Sequence, residues 1–143
     1  MEVLHVASIL GGKRASQVSV ASRMELMELG DRGVTKDALL RLARYLDFTM
    51  SQMAEVLPVT ERTIQRYSSK HRFNKVVSEH ILKITEVAAR GSEVFGSREK
   101  FLSWIKSPSP ALGKRTPASL LGSGFGTEMV LDELGRIEHG IIS

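Results

Sequence analysis

The segment over residues 50–67 constrains the fold of this chain more than any other, because its helix signals allow only two short helices joined by a tight turn. Thr49 is a typical helix N-cap, and Gln52, three residues later, completes a capping box. Pro58 ends this first helix, and Thr60 is placed to cap the second. The pattern predicts a helix-turn-helix.

The apolar side chains of this segment also meet the demands of a helix-turn-helix. Ala54 is the small residue needed where the helices cross, Val59 is expected to fill the core after the turn, and Ile64 faces inward from the second helix. Pro58 stands where the motif usually has glycine, so the sequence leaves the turn conformation open. A helical hairpin in a bundle that touches no DNA is the alternative interpretation.

The second helix of the motif carries side chains suited to reading DNA. In such motifs this helix enters the major groove with its N-terminal end leading. Gln65 is suited to adenine, and Arg62 or Arg66 to guanine, because these groups form paired hydrogen bonds with those bases. Backbone amides at the helix start favour a phosphate near Thr60. The predicted DNA-binding residues are Ser51, Gln52, Thr60, Arg62, Thr63, Gln65, Arg66, Lys70 and Arg72.

The distribution of charge supports an anionic partner for this part of the chain. The formal net charge is +4 and the pI is about 9.6. The positive excess is sharpest over residues 61–75, where five Lys or Arg side chains face a single carboxylate, Glu61. A basic cluster at this place indicates nucleic acid, although a solvated helix face would account for the charge alone.

The rest of the chain predicts an all-α protein, since no convincing two-residue alternation follows residue 22. Expected helices run from Arg23 to Leu29 before Gly30, from the Thr35 cap onward, from Val76 to Arg90 with Gly91 ending or bending it, and from Thr127 to Leu134. Residues expected in the core are Leu39, Leu40, Ala43, Leu46, Val77, Ile81, Ile84, Ala88 and Trp104.

Proline and glycine divide the C-terminal third. The sequence Ser107-Pro108-Ser109-Pro110 cannot continue a helix, and Thr116-Pro117 is a good helix start. Gly122, Gly124 and Gly126 are expected to break the chain before the last helix.

Composition and motifs argue against an enzyme, a metal site and a membrane protein. The chain has no cysteine, which excludes disulfides and thiolate metal sites and fits a reducing cytoplasm. No apolar run approaches the roughly 18 residues of a membrane span, and no signal peptide is expected. Gly12-Lys13 fails as a phosphate loop, residues 122–126 fail as a dinucleotide fingerprint, and the four histidines lack ligand spacing. We therefore expect no catalysis, no cofactor and no metal.

The C-terminal third resembles the antitoxin domain of the Xre/ParS/MbcA family in the order and spacing of its elements. Upstream, residues 60–66 resemble the family's helix-turn-helix, so the resemblance covers roughly residues 24–143. The matching elements are Val94-Phe95-Gly96, Trp104, Pro108, Pro110-Ala111-Leu112-Gly113, Thr116-Pro117 and Leu120-Leu121.

The resemblance implies an antitoxin that blocks a RES-domain toxin, an NAD-consuming enzyme, and represses its own operon. Family members self-associate, so we expect an even-numbered homo-oligomer on operator DNA in the bacterial cytoplasm, nucleoid-associated when bound. The C-terminal part of members covers the toxin's active-site cleft. Toxin-binding residues implied in this way are Arg115, Arg136, Glu138, His139, Gly140, Ile141, Ile142 and Ser143.

These expectations divide the chain into three parts. Residues 1–22 form an arm of uncertain order, residues 23–90 an Xre-like helix-turn-helix domain, and residues 91–143 a small helical toxin-binding domain. The alternative function is a plain transcriptional repressor whose C-terminal domain only mediates oligomerisation.

Overall fold

The computed structural model describes residues 8–10 and 22–140, and most of the predicted N-terminal arm lies outside them. Within the described residues the chain is helical, and pairing between extended segments is limited to isolated bridges at Thr35–Arg72 and Ser109–Arg115. The predicted all-α class is confirmed. The helices are α1 Ser22–Arg32, α2 Lys36–Leu46, α3 Met50–Glu55, α4 Glu61–Arg66, α5 Lys75–Phe95, α6 Arg98–Ile105 and α7 Gly124–Glu138, with the 3₁₀ helices η1 Pro110–Leu112 and η2 Pro117–Leu120.

The chain divides into two compact units, Met1–Glu86 and Val87–Ser143. The division falls inside α5, four residues before the boundary expected from the sequence between residues 90 and 91. The order along the chain, a helix-turn-helix domain followed by a second helical domain, is the order that the sequence predicts. The boundaries expected at residues 22 and 90, between the arm, the DNA-binding domain and the toxin-binding domain, stay a prediction.

Helix α2 begins and buries one face as its sequence predicts, with one correction. The Thr35 hydroxyl accepts a hydrogen bond from the Ala38 amide at 3.1 Å and caps the helix. Leu39 and Leu46 are fully buried, but Leu42 occupies the core position expected for Leu40, which is only half-buried. Positions 35, 39, 42 and 46 follow the helical repeat of 3.6 residues more closely.

Helix α1 does not stop at Gly30, as expected, but runs to Arg32. A Cβ atom at Gly30 would lie 3.2 Å from Glu79 Cγ on α5, so this glycine allows close helix packing. The helix ends at Gly33, whose φ of +95° favours glycine and whose Cβ would lie 2.6 Å from the Phe73 carbonyl oxygen.

Helix α5 likewise passes the glycine expected to end or bend it. A Cβ atom at Gly91 would lie 2.1 Å from Phe101 Cδ1, so the glycine makes room for a ring that is fully buried. The helix continues to Phe95 and ends at Gly96, where φ is +76°. Trp104 was expected in the core but is half-buried, with its ring centroid 5.5 Å from that of Phe95. Phe101 fills the core in its place.

The expected break after α6 is confirmed, and it forms a closed loop. Pro110 and Pro117 each begin a 3₁₀ helix, and the Thr116 hydroxyl caps the second by accepting from the Ser119 amide. The Ser109 amide donates to the Arg115 carbonyl at 2.9 Å and closes the loop between them.

Helix α7 begins earlier and ends later than predicted. The Ser123 hydroxyl accepts from the Gly126 amide at 3.0 Å and caps a helix that includes Gly124 and Gly126. These glycines were expected to break the chain. Gly126 instead permits close packing, because a Cβ atom there would lie 1.9 Å from the Leu120 carbonyl oxygen.

This contact predicts opposite effects for two neighbouring glycines. Gly126→Ala forces a methyl group against the Leu120 carbonyl and should lower the free energy of unfolding by about 1–3 kcal/mol. Gly124→Ala is the control, because its Cβ meets nothing within 4 Å and should raise stability by about 0.4–1 kcal/mol. Urea unfolding followed by the fluorescence of Trp104, the one tryptophan of the sequence, reports this unit. Equal midpoints for the two variants would contradict the packing argument.

Candidate functional site

The predicted helix-turn-helix is present as α3, a turn and α4. The Thr49 hydroxyl accepts from the Gln52 amide at 3.1 Å, and Gln52 Oε1 accepts from the Thr49 amide at 2.8 Å, so the predicted capping box is confirmed. The Thr60 hydroxyl accepts from the Thr63 amide at 3.1 Å and caps α4. Helix α3 ends at Glu55, before Pro58 is reached, and α4 ends at Arg66.

Ile64 is the fully buried residue of α4, as predicted, and Met53 is its fully buried counterpart on α3. The turn differs from expectation. Val56 and Leu57 are buried directly after α3, whereas Val59, expected to fill the core, is only half-buried. Because α3 is short, the two apolar residues that follow it supply the core of the turn.

The polar side chains of α4 face solvent beside this core. Arg62, Gln65 and Arg66 are all exposed, and Thr63 is half-buried. Gln65 Nε2 donates to Glu61 Oε2 at 3.3 Å across one helical turn. To pair with a base through both amide atoms, Gln65 must exchange this weak hydrogen bond.

Some predicted DNA-binding side chains have structural partners. Gln52 completes the capping box, and the Thr60 hydroxyl also donates to Thr63 Oγ1 at 2.9 Å. Ser51 is exposed on α3. Lys70 is exposed in a tight turn that the His71 amide closes by donating to the Ser68 carbonyl.

The segment after α4, residues 67–73, is held against the start of α2. The amides of Lys36 and Asp37 donate to the carbonyls of His71 and Ser69, and Lys36 Nζ donates to the Tyr67 carbonyl at 2.9 Å. Lys36 was not predicted from the sequence, because the contact joins residues 31 positions apart and no local pattern reveals it.

Arg72 also belongs to this junction, and its side chain is partly committed there. Its Nη1 donates to the Gly33 carbonyl at 2.7 Å, while its backbone bridges to Thr35. The rings of Tyr67 and His71 stack with centroids 3.5 Å apart, and Phe73 meets the Tyr67 ring edge-on at 5.8 Å. The residue expected to track phosphates therefore also stabilises the fold.

The predicted toxin-binding residues lie in the second unit, and several are already paired. Arg136 Nε lies 2.8 Å from Glu133 Oε1, and Arg90 Nη2 lies 2.6 Å from Glu138 Oε1. The amide of His139 caps α7 by donating to the Gly135 carbonyl at 3.1 Å.

The remaining predicted toxin-binding residues lie outside α7 or outside the described residues. Arg115 is exposed in the loop closed by Ser109, and Gly140 has a φ of +71° after α7. Ile141, Ile142 and Ser143 lie outside the described residues.

The described residues define the protein class: a helix-turn-helix with exposed cations, followed by a small helical domain. Two known family models match the chain in the same order and over similar residue ranges. Residues 25–85 match the antitoxin Xre-like helix-turn-helix domain, and residues 90–140 match the antitoxin Xre/MbcA/ParS C-terminal toxin-binding domain. Two consecutive domains of the chain thus match the helix-turn-helix and toxin-binding domains of Xre antitoxins.

Two curated relatives, both named antitoxin Xre, are similar to the chain. One, from Photorhabdus laumondii subsp. laumondii, is 36% identical over 80 residues, covering 55% of this chain and 54% of the relative. The other, from Yersinia enterocolitica, is 27% identical over 113 residues, covering 78% of this chain and 76% of the relative. The chain thus matches about half the length of the first relative.

Two kinds of site are not found where the structure is described. No helix within residues 8–10 and 22–140 combines the length and apolarity needed to cross a bilayer. In the same part of the chain, no three His, Cys, Asp or Glu side chains come together as metal ligands.

The hydrogen bond between Arg72 and Gly33 predicts that two neighbouring cations differ in their effect on stability. Arg72→Ala should lower the free energy of unfolding by about 0.5–1.5 kcal/mol, because it removes a bond to a backbone carbonyl. Lys70→Ala, the matched control at an exposed turn, should stay within about 0.5 kcal/mol of the unsubstituted chain. Urea unfolding followed by far-UV circular dichroism checks both, and equal stabilities would show that the Arg72 bond contributes nothing.

Proposed function

We propose that this chain is the antitoxin of a RES-domain toxin that consumes NAD, and that it represses its own operon. The observation that carries the proposal is one chain holding both an exposed basic reading helix and a domain of the toxin-binding family. Both similar relatives bear the name antitoxin Xre. The RES partner itself comes from the family resemblance. On this proposal the chain needs no cofactor, performs no catalysis, and acts in the bacterial cytoplasm, nucleoid-associated when bound to its operator.

The alternative is a plain repressor whose second domain only mediates oligomerisation. The match of residues 90–140 to a toxin-binding domain favours the antitoxin. Mixing the purified chain with the RES-domain protein encoded beside its gene separates the two functions. An antitoxin abolishes NAD consumption at a stoichiometric ratio, whereas a plain repressor leaves the enzyme fully active.

The DNA-binding half of the proposal assigns different roles to the exposed residues of α4 and of the turn after it. Arg62, Gln65 and Arg66 reach base edges in the major groove, and Lys70 contacts phosphate. Ser51, Gln52, Thr60, Thr63 and Arg72 border the same surface and contact the backbone. One such helix covers few base pairs, so we propose an even-numbered oligomer on half-sites about 34 Å apart.

Substitutions should separate base reading from phosphate binding. Arg62→Ala and Gln65→Ala should each weaken operator binding by about 1–3 kcal/mol and relax base preference at one position. Lys70→Ala should weaken binding to all sequences alike and reduce the salt slope by about 1, because one fewer phosphate is neutralised. Mobility-shift titrations on the operator and on base-substituted operators measure both effects.

Lys100→Ala is the matched control, since Lys100 is an exposed cation on α6 in the second unit. It should leave the titrations unchanged. Unaltered operator binding by Arg62→Ala, Gln65→Ala and Lys70→Ala together would show that α4 does not read the DNA.

The toxin-blocking half of the proposal places the chain end in the toxin's cleft. Arg136 and Glu138 are held by ion pairs within the unit, so α7 remains helical through Glu138. On this proposal the residues after the His139 cap enter the cleft, and Ile141 and Ile142 supply apolar groups there. Arg115 is proposed to meet the toxin beside this segment.

Deleting residues 140–143 should restore most of the toxin's NAD consumption in the mixed assay, because the cleft is no longer filled. Folding and operator binding should persist, since the deletion spares the His139 cap and both ion pairs of α7. Full inhibition by the shortened chain would contradict the plug and transfer the blocking role to the surface of residues 104–121.

A further inference from the structure

The most exposed large apolar side chain among the described residues is Phe125, at 88% exposure, in the first turn of α7. Met129, one helical turn further on, is 46% exposed. The two side chains are neighbours, because residues four apart lie on one face of a helix. Adjacent exposed apolar side chains form a patch, and such patches on a protein surface often mark an interaction site.

The packing of α7 keeps this pair away from the core. The opposite face is buried through Thr127, Val130 and Leu134. Gly126 lies so close to the Leu120 carbonyl that even a methyl group would clash. Phe125 therefore cannot enter the core without unwinding the capped first turn.

The exposed face of α7 is acidic as well as apolar. Glu128 and Asp132 are both exposed and lie in register with Phe125 and Met129. The helix carries no Lys or Arg before Arg136, and Arg136 is paired with Glu133. Asp132 thus places a negative charge beside the two apolar groups.

We propose that Phe125 and Met129 form the apolar anchor by which the second unit binds its toxin. The inference rests on the proposed function, since it assigns a contact surface within the domain of residues 90–140. The partner surface that fits is an apolar pocket bordered by a Lys or Arg, complementary to Asp132. Aromatic side chains in a desolvated pocket supply a large share of binding energy in protein interfaces.

A second copy of this chain fits the face less well than such a partner. A two-fold contact is self-complementary, so the same patch of both copies meets. Asp132 of each copy would then lie in one interface, and α7 supplies no Lys or Arg before Arg136 to compensate the two carboxylates. Like charges brought together in this way oppose association.

The test measures affinity for the RES-domain protein encoded beside this chain's gene, by isothermal titration with the full-length chain. The double variant Phe125→Ser/Met129→Ser should weaken binding at least tenfold, and Asp132→Lys should weaken it by a smaller factor. Phe125→Leu should retain most of the affinity, because it keeps an apolar side chain. Met24→Ser is the matched control, an exposed methionine of the first unit, and should bind within twofold of the unsubstituted chain.

Circular dichroism and operator binding confirm that each variant is folded, and light scattering follows the oligomeric state. Undiminished toxin binding by the folded double variant would overturn the anchor while leaving the proposed function intact. Loss of self-association by that variant, with toxin binding retained, would identify the face as a contact between copies and also overturn the anchor. Failure of the unsubstituted chain to bind the RES-domain protein would instead overturn the proposed function, and the anchor with it.

Discussion

The hydroxyl of Ser78 holds together the segments on which the position of α4 depends. Ser78 is fully buried on α5, accepts from the Val34 amide at 2.8 Å and donates to the Phe73 carbonyl at 3.0 Å. The Phe73 amide in turn donates to the Val34 carbonyl. A buried amide left without a partner costs about 1–3 kcal/mol. Because residues 67–73 lead directly out of α4, this junction fixes the end of α4 against α2 and α5.

The second unit depends on close packing at glycine as well as on buried polar bonds such as that of Thr127, whose hydroxyl donates to the Ser123 carbonyl at 2.7 Å. At Gly91 and Gly126 the absence of a side chain allows a close contact, because Phe101 and the Leu120 backbone occupy the space that a Cβ atom would need. Interiors packed to this density do not absorb even one added methyl group without strain. The close approach of α7 to Leu120, and with it the exposure of Phe125, therefore depends on the missing side chain at Gly126.

Sequence reasoning succeeded where a structural signal is local. The caps at Thr35, Thr49 and Thr60 were predicted because each donor and acceptor lie three residues apart. It was wrong at Gly30 and Gly126, which lie inside helices, and α5 continues past Gly91 instead of ending there. A glycine gives the same local signal whether it ends a helix or admits a distant neighbour, and only tertiary packing decides between these roles.

The same distinction applies to the candidate sites. The exposed basic residues of α4 could be predicted because charge and helix spacing are visible in the sequence, whereas their contact with DNA stays a prediction. The exposure of Phe125 could not, since an aromatic residue flanked by glycines gives no sign of which way it faces until Leu120 is placed beside Gly126. Helix α7 has 15 residues and is about 22 Å long, with Phe125 at its start and the chain end beyond Glu138. On the proposed function, a toxin must therefore meet the anchor and the plug at opposite ends of one rigid helix, so that affinity and inhibition are supplied by separate contacts.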